Sequence, residues 1–113
     1  MTIEDDLKAN LKEFLESAEE DFMKKRYNSA VSGYFKALSA LCDLKIYELK
    51  RVLPKNHSER FLFLKISSPE VYKIMNSLFN TYTKTYNLRV SHKEAALFKE
   101  NVNKIRELFK KKA

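Results

Sequence analysis

The chain contains few of the residues that interrupt helices or bind metals. Among its 113 residues, glycine and cysteine occur once each, proline and histidine twice each, and tryptophan not at all. So few turn-forming residues favour a small number of long helices over many short strands. A lone cysteine excludes an internal disulfide, and two distant histidines do not provide metal-ligand spacing. With Gly33 as its only glycine, the chain cannot contain a glycine-rich phosphate loop.

Long apolar stretches are also absent. No segment approaches the roughly 20 consecutive apolar residues that a transmembrane helix requires, and no signal-peptide pattern opens the chain. We therefore expect a cytoplasmic protein without membrane contact, folded as a single domain over residues 1–113. Abundant lysine without glutamine suits a thermophile source. Cys42, inside an apolar helical pattern, is predicted to be a packed thiol.

Positive charge is in excess but unevenly distributed. The net charge is +7, yet residues 1–21 hold eight acids and two bases, whereas residues 22–113 hold 20 bases and seven acids. A basic body with an acidic first helix can attract phosphate or pair with an acidic partner. The simpler interpretation is that the acidic helix packs against basic neighbours in its own chain.

Apolar residues recur at three- and four-residue steps in four segments, which predicts four helices. Their bounds are about 3–24, 28–52, 69–88 and 92–110. Thr2 is a predicted N-cap for the first helix, and Ser91 with Glu94 matches a capping box for the last. The second helix is apolar on two faces, which is typical of a central helix. The predicted fold is therefore an all-α, up-and-down four-helix bundle.

The connection between the second and third helices has no single interpretation. Pro54 ends the second helix, and Ser68 followed by Pro69 predicts the start of the third. Between them, residues 61–64 fit either a short helical turn or an extended piece over the core. Gly33, within the second helix, is predicted to mark a close contact with another helix.

The stretch KKRYNSAVSGYFKAL has tyrosine and alanine at a spacing that several helical families share. Tyr27, Ala30, Tyr34 and Ala37 match the second half of a tetratricopeptide unit, and the same spacing occurs in microtubule-interacting-and-transport (MIT) domains. A tetratricopeptide repeat spans about 34 residues and should recur, but no second copy is present. A solenoid is therefore not expected, although a protein-interaction adaptor with grooves beside the second helix stays an alternative.

The whole chain better resembles the HEPN family (higher eukaryote and prokaryote nucleotide-binding), small four-helix bundles that are frequent in archaea and bacteria. The stretch LFNTYTKTYNLRVSHKEAALFKENVNKI is similar to the end of such domains, with Tyr82, Tyr86 and Arg89 before Ser91 and Glu94. This resemblance implies a homodimer that binds RNA, a nucleotide or a nucleotidyltransferase-type partner, in a toxin–antitoxin or defence setting.

Members of that family that cleave RNA carry an arginine, four to six intervening residues and a histidine, with a polar residue directly after the arginine. Arg89 and His92 have only two residues between them, and apolar Val90 follows the arginine. Arg51 and His57 have five residues between them, but a helix-breaking proline interrupts that pair. We therefore predict a binding protein rather than an enzyme, with an atypical metal-independent ribonuclease as the third hypothesis.

Two interpretations of the Arg89–His92 region are open. The simpler one is a helix-terminal arginine and an exposed histidine in the first turn of the next helix. The other is a phosphate-binding corner near the amides that open the last helix, with tyrosines for base stacking. This predicted corner consists of Tyr82, Lys84, Tyr86, Arg89, His92 and Lys93. Arg89 and His92 would be the residues involved in any catalysis there, and no metal or cofactor is expected.

Overall fold

The computed structural model describes residues 1–111, and these residues are helical apart from short connections. The helices are α1 (Ile3–Met23), α2 (Tyr27–Lys50), α3 (His57–Ser67), α4 (Pro69–Lys84) and α5 (His92–Lys111). No strand occurs in this part of the chain, so the predicted all-α class is confirmed. Residues 112 and 113, which the predicted 1–113 domain includes, lie outside the described residues. Within residues 1–111, no helix is both long enough and apolar enough to cross a membrane.

Two predicted helix starts are present as capping boxes. At α1, the Asp5 backbone N–H donates to Thr2 Oγ1 at 3.0 Å, and the Asp5 carboxylate accepts from the Thr2 N–H at 3.2 Å. At α5, the Glu94 N–H donates to Ser91 Oγ at 3.1 Å, and Glu94 Oε1 accepts from the Ser91 N–H at 2.9 Å. Each box satisfies backbone donors that have no partner within the helix.

Helix α3 is the element that the four-helix prediction lacked. It begins after Asn56, whose side-chain oxygen accepts a hydrogen bond from the Glu59 backbone N–H at 2.9 Å. The Glu59 carboxylate in turn accepts from the Lys55 backbone N–H at 3.2 Å. The segment around residues 61–64 is therefore helical, and Leu64 is buried. With five helices instead of four, the up-and-down four-helix bundle is not confirmed.

Helix α4 ends at Lys84, before the predicted end, because threonine hydroxyls compete for its last carbonyl groups. Thr83 Oγ1 donates to the Asn80 carbonyl at 3.0 Å, and Thr85 Oγ1 donates to the Tyr82 carbonyl at 2.6 Å. The Thr85 backbone N–H bonds the same Tyr82 carbonyl at 3.0 Å, which tightens the last turn. The chain then leaves the helical path.

Helix α2 is central, as its two apolar faces predict. It packs against each of the other four helices, and eleven of its residues are buried. Cys42 is fully buried within it, which confirms the packed thiol, and burial raises the pKa of that thiol. The helix ends at Lys50 because Arg51 takes a left-handed conformation, with φ 56°.

Helices α1 and α2 approach each other closely where Gly33 faces Ala18. A Cβ atom placed on Gly33 would lie 2.9 Å from Ala18 Cβ, closer than two carbon atoms normally approach. The predicted close contact at Gly33 is therefore confirmed.

The acidic helix α1 pairs with basic residues of its own chain. Glu4 contacts Arg51 at the end of α2 at 3.1 Å, and Glu19 contacts Lys99 of α5 at 3.4 Å. These pairs match the simpler interpretation of the uneven charge distribution. The basic side chains that remain unpaired are then available to other molecules.

Candidate ligand-binding site

The residues of the predicted corner lie in different surroundings. Lys84 is paired within the protein, because its Nζ lies 3.1 Å from Glu94 Oε2 and 3.3 Å from Oε1. The hydrogen bond from the Ser91 backbone N–H, together with that from Lys84, lowers the pKa of the Glu94 carboxyl. Lys84 therefore already neutralises an acid at the start of α5.

Two aromatic members of the corner also have partners inside the protein. The His92 ring packs against Phe22 and Tyr27, with ring centroids 5.2 and 5.4 Å apart. Tyr82 is 9% exposed and stacks on Phe35 at 4.5 Å, with an angle of 14° between the rings. Both rings thus contribute to packing, but Tyr82 is buried, whereas His92, the first residue of α5, is exposed.

Tyr86 is the tyrosine of the corner that remains open to solvent. Its ring is 71% exposed, and its hydroxyl donates to the Tyr82 hydroxyl at 3.4 Å. This hydrogen bond, with burial, raises the pKa of Tyr82 to about 12. The Tyr86 ring therefore has a surface that can contact another molecule.

Arg89 and Lys93 are exposed, and neither forms an ion pair or a side-chain hydrogen bond within residues 1–111. The connection that carries Arg89 is held in place by Asn28 at the start of α2. Asn28 Nδ2 donates to the Leu88 carbonyl at 2.7 Å, and Asn28 Oδ1 accepts from the Val90 N–H at 2.9 Å. Of the predicted corner, Arg89, Lys93, Tyr86 and the exposed His92 therefore remain accessible.

The second arginine–histidine pair considered in the sequence is split between two partners. Arg51 bonds Glu4 through Nη1 at 3.1 Å, whereas His57 is the first residue of α3 and contacts Arg60. His57 and Arg60 are three residues apart, on one face of α3, so their side chains meet without help from Arg51.

His57 belongs to a cluster of polar side chains next to the core. Arg60 bonds both oxygens of Asp43, through Nε at 2.7 Å and Nη2 at 2.9 Å, and its Nη1 lies 2.8 Å from His57 Nδ1. Arg60 is 9% exposed and Asp43 is 7% exposed. A buried ion pair of this kind is often no more stabilising than apolar residues of similar volume. Its presence beside a cavity therefore marks a candidate functional site.

The contact with Arg60 determines the protonation of His57. A guanidinium group can only donate hydrogen bonds, so His57 Nδ1 accepts, and the proton of the neutral ring is on Nε2. Burial, together with the positive charge of Arg60, lowers the pKa of His57. No hydrogen bond to Nε2 occurs within residues 1–111, and Nε2 is not among the fully buried unpaired atoms, so it retains access to solvent.

A cavity of about 290 Å³, here called the inner cavity, borders this cluster. It lies among α1, α2, α3 and the end of α4. Its polar lining residues are Asn10, Lys36, Ser39, Asp43, His57 and Arg60. Its apolar walls include Leu7, Phe14, Phe35 and Tyr82. Aromatic walls with a few polar groups are typical of a small-molecule site.

The Ser39 hydroxyl is the one fully buried side-chain polar group without a hydrogen-bond partner in the described part of the chain. Its residue is 8% exposed, and its Oγ makes no hydrogen bond, not even to a carbonyl of the preceding turn of α2. An unpaired buried hydroxyl costs on the order of 1–3 kcal/mol. A ligand that bonds Ser39 would recover that cost.

A larger cavity, here called the outer cavity, adjoins the inner one. Its volume is about 510 Å³, and the two cavities share Phe14 and Lys36. Its polar lining consists of the hydroxyl and amide residues Ser17, Asn28, Ser29, Ser32 and Thr85, together with Lys36 and one acid, Glu13. Because Asn28 also holds the connection that carries Arg89, this cavity lies beside the retained part of the predicted corner.

Sequence reasoning missed the inner cavity, although one local signal for part of it exists. Asn56 followed by Glu59 three residues later is a helix-start pattern, and it would place His57 and Arg60 on one helical face. No comparable signal identifies Asp43 or Ser39, because both lie within the apolar pattern of α2.

No group of three metal-ligating side chains occurs within residues 1–111. The chain matches no protein-family model, no curated protein and no solved structure.

Proposed function

We propose that the protein binds RNA or a nucleotide, without cleaving it, as a HEPN-like helical bundle. In this proposal α1, α2, α4 and α5 are the four helices of an up-and-down bundle, and α3 is a short insertion between the second and third. The working form is a homodimer, and its partner is a nucleotidyltransferase-type protein in a toxin–antitoxin or defence system. The pattern resemblance of residues 3–109 supports this assignment.

The observation that carries the proposal is the position of Lys36. It is exposed, lines both cavities and forms no ion pair within residues 1–111. Cationic groups bind phosphates, while hydroxyl, amide and aromatic groups bind ribose and bases. The two adjoining cavities offer these groups around Lys36 in a protein with net charge +7, and Glu13 is the acid of the outer cavity.

Binding without cleavage is part of the proposal, and the aromatic contacts of the exposed His92 and the pairing of Lys84 support it. The His92 ring is packed against two aromatic rings of α1 and α2, and Lys84 is neutralised by Glu94. A catalytic pair needs both groups to meet the same phosphate. Arg89 alone can hold a phosphate, which supports binding.

The test is the binding of a labelled single-stranded RNA at about 50 and 200 mM salt, with the solution mass measured in the same buffer. We expect affinity that falls steeply with salt, because phosphate contacts release counterions. Lys36→Ala should weaken binding and reduce the slope of log affinity against log salt by about 0.7, the value for one phosphate contact on a single strand.

The matched control is Lys104→Ala, which removes an equal charge from an exposed position of α5 that lines neither cavity. Equal effects of the two variants would show that Lys36 has no special role. Absence of RNA binding and of nucleotide binding at low salt would refute the proposed function.

A protein-interaction adaptor is the second candidate, because α3 exposes apolar side chains. Leu62 is 59% exposed and Ile66 is 71% exposed, and the two lie one turn apart on the same face. Exposed apolar groups in pairs favour a protein contact. If this face binds a partner, affinity should change little with salt, and Leu62→Ser with Ile66→Ser should abolish it.

A further inference from the structure

We infer that the inner cavity is a pocket for a single unpaired nucleobase, with the attached phosphate at Lys36. This inference rests on the proposed function and deepens it by naming the ligand group and its site. Size is the first argument. At about 290 Å³ the inner cavity is at the lower limit for a small-molecule pocket, so it admits one ring system rather than a whole nucleotide.

The relation between the two cavities is the second argument. They meet at Phe14 and Lys36, and the outer one has about 510 Å³ with a hydroxyl- and amide-rich lining. A nucleotide with its base in the inner cavity would extend past Lys36 into the outer cavity. The ribose and the chain of an RNA strand would then meet the hydroxyls of Ser17 and Ser29, with the phosphates on the side of Lys36 away from Glu13.

The third argument is the hydrogen-bonding chemistry of the inner cavity. Ser39 provides a buried hydroxyl without a partner, and the Nε2–H of His57 is a donor. Asn10 adds an amide that can both donate and accept. Nucleobases present donors and acceptors around a flat ring, and proteins hold unstacked bases by such bonds between aromatic or apolar walls. Phe14 and Tyr82 line those walls.

The pairing of Arg60 excludes a phosphate as the buried group. Its Nε and Nη2 are bonded to Asp43 and its Nη1 to His57, so its charge is already neutralised. Arg60 therefore acts as a positioning residue that fixes the acceptor role of His57 Nδ1. The unpaired cation of the cavity is Lys36, which the outer cavity shares.

The experiment compares the four ribonucleoside monophosphates with ribose 5-phosphate by calorimetric titration of the full chain. Ribose 5-phosphate has the same sugar and phosphate but no base. We expect at least one nucleotide to bind about tenfold more tightly than ribose 5-phosphate. Ser39→Ala should remove most of this difference and leave the affinity for ribose 5-phosphate unchanged, because one hydrogen bond is worth up to about a factor of ten.

Folding does not confound Ser39→Ala. The variant removes an unpaired buried hydroxyl, so its stability should equal or exceed that of the wild type. Ser77→Ala, an exposed serine of α4 that lines neither cavity, is the matched control and should bind like the wild type. His57→Asn keeps an acceptor for Arg60 but lacks the Nε2–H, and it should also lower nucleotide affinity.

The inference fails if the nucleotides bind no more tightly than ribose 5-phosphate, or if Ser39→Ala binds them like the wild type. In either case the proposed function would still stand if RNA bound with the expected salt dependence and Lys36→Ala weakened it. Loss of both RNA and nucleotide binding would overturn the function and the inference together.

Discussion

Arg60 Nη1 lies 2.8 Å from His57 Nδ1, an arrangement that holds the imidazole neutral. Protonation of Nδ1 would set a ring N–H against a guanidinium that cannot accept a hydrogen bond. Since Arg60 is also bonded to Asp43 at both carboxylate oxygens, it cannot turn away without breaking a buried pair. The neutral state of the His57 side chain, which lines the inner cavity, is thus fixed by its neighbours.

The lowered pKa of His57 predicts a specific loss of stability in weak acid. The unfolded chain binds a proton at His57 with a pKa of about 6.5, whereas the folded chain binds it only at lower pH. The contribution of neutral His57 to the unfolding free energy is therefore fully present above about pH 6.5. It is lost as the pH falls from there through the folded-state pKa. We expect the unfolding free energy, from urea titrations at several pH values, to fall across this window.

His57→Asn should flatten that dependence, because asparagine offers Arg60 a similar acceptor and does not titrate. His92→Asn makes the same substitution outside the inner cavity. It should keep the pH dependence of the unfolding free energy, even where the loss of ring contacts lowers stability at every pH. If the wild type and His57→Asn had parallel stability curves between about pH 5 and 7, the linkage to His57 would be wrong.

The Asp43–Arg60 pair predicts non-additive effects on stability. Arg60→Met alone should destabilise the fold by about 3–5 kcal/mol, because it leaves a buried carboxylate without its partner. The double variant Asp43→Leu with Arg60→Met should recover most of that loss, since apolar residues can replace a buried pair. Denaturant unfolding of the two single variants and the double variant measures the coupling. Additive losses would contradict the prediction.

Gly33→Ala should destabilise the protein although alanine favours helices. Its methyl group would meet Ala18 Cβ at 2.9 Å and the Ala18 backbone Cα at 3.3 Å, so α1 and α2 must separate. Overpacking of this kind costs about 1–3 kcal/mol, which exceeds the gain of about 1 kcal/mol from helix propensity. Thermal unfolding should show a lower midpoint, and adding Ala18→Gly should restore part of it. A rise in the midpoint for Gly33→Ala alone would show that the two helices can adjust.

Local signals explain what could be predicted of the fold. The Thr2 cap, the Ser91–Glu94 box and the apolar steps between them act within one or two turns, so the sequence displays them. The sequence does not determine the conformation of α3, because its apolar residues follow each other closely and give a weak helical period. Its start signal at Asn56 is nevertheless local and is visible in the sequence.

The inner cavity could not be predicted, because it depends on contacts between helices. Asp43 and Arg60 are 17 residues apart, and nothing in the local pattern links them. Ser39 is notable only because no group in the folded protein reaches it, which is a property of tertiary packing. Tyr82 of the predicted corner has a spacing that also suits the core, where it stacks on Phe35.

The exposed part of the predicted corner provides the last prediction. Arg89 and Lys93 are unpaired within residues 1–111, whereas Lys84 is held by Glu94. Arg89→Ala with Lys93→Ala should therefore weaken binding of single-stranded RNA and lower the salt slope by about 1.4, as expected for two lost phosphate contacts. Lys84→Ala should have a smaller effect on affinity but should lower stability, because Glu94 then loses its partner.

The control is Lys73→Ala with Lys104→Ala, which removes the same charge from exposed positions of α4 and α5. If this pair weakened binding as much as the Arg89 and Lys93 variant, the effect would be one of net charge, and the corner would have no role.

His92→Ala separates binding from catalysis in the same assay. Because the His92 ring packs on Phe22 and Tyr27, its loss should lower stability and leave the RNA intact, as in the wild type. If the wild type cleaved RNA and His92→Ala abolished that cleavage, the ribonuclease hypothesis would be established instead, since packing alone cannot supply a proton acceptor.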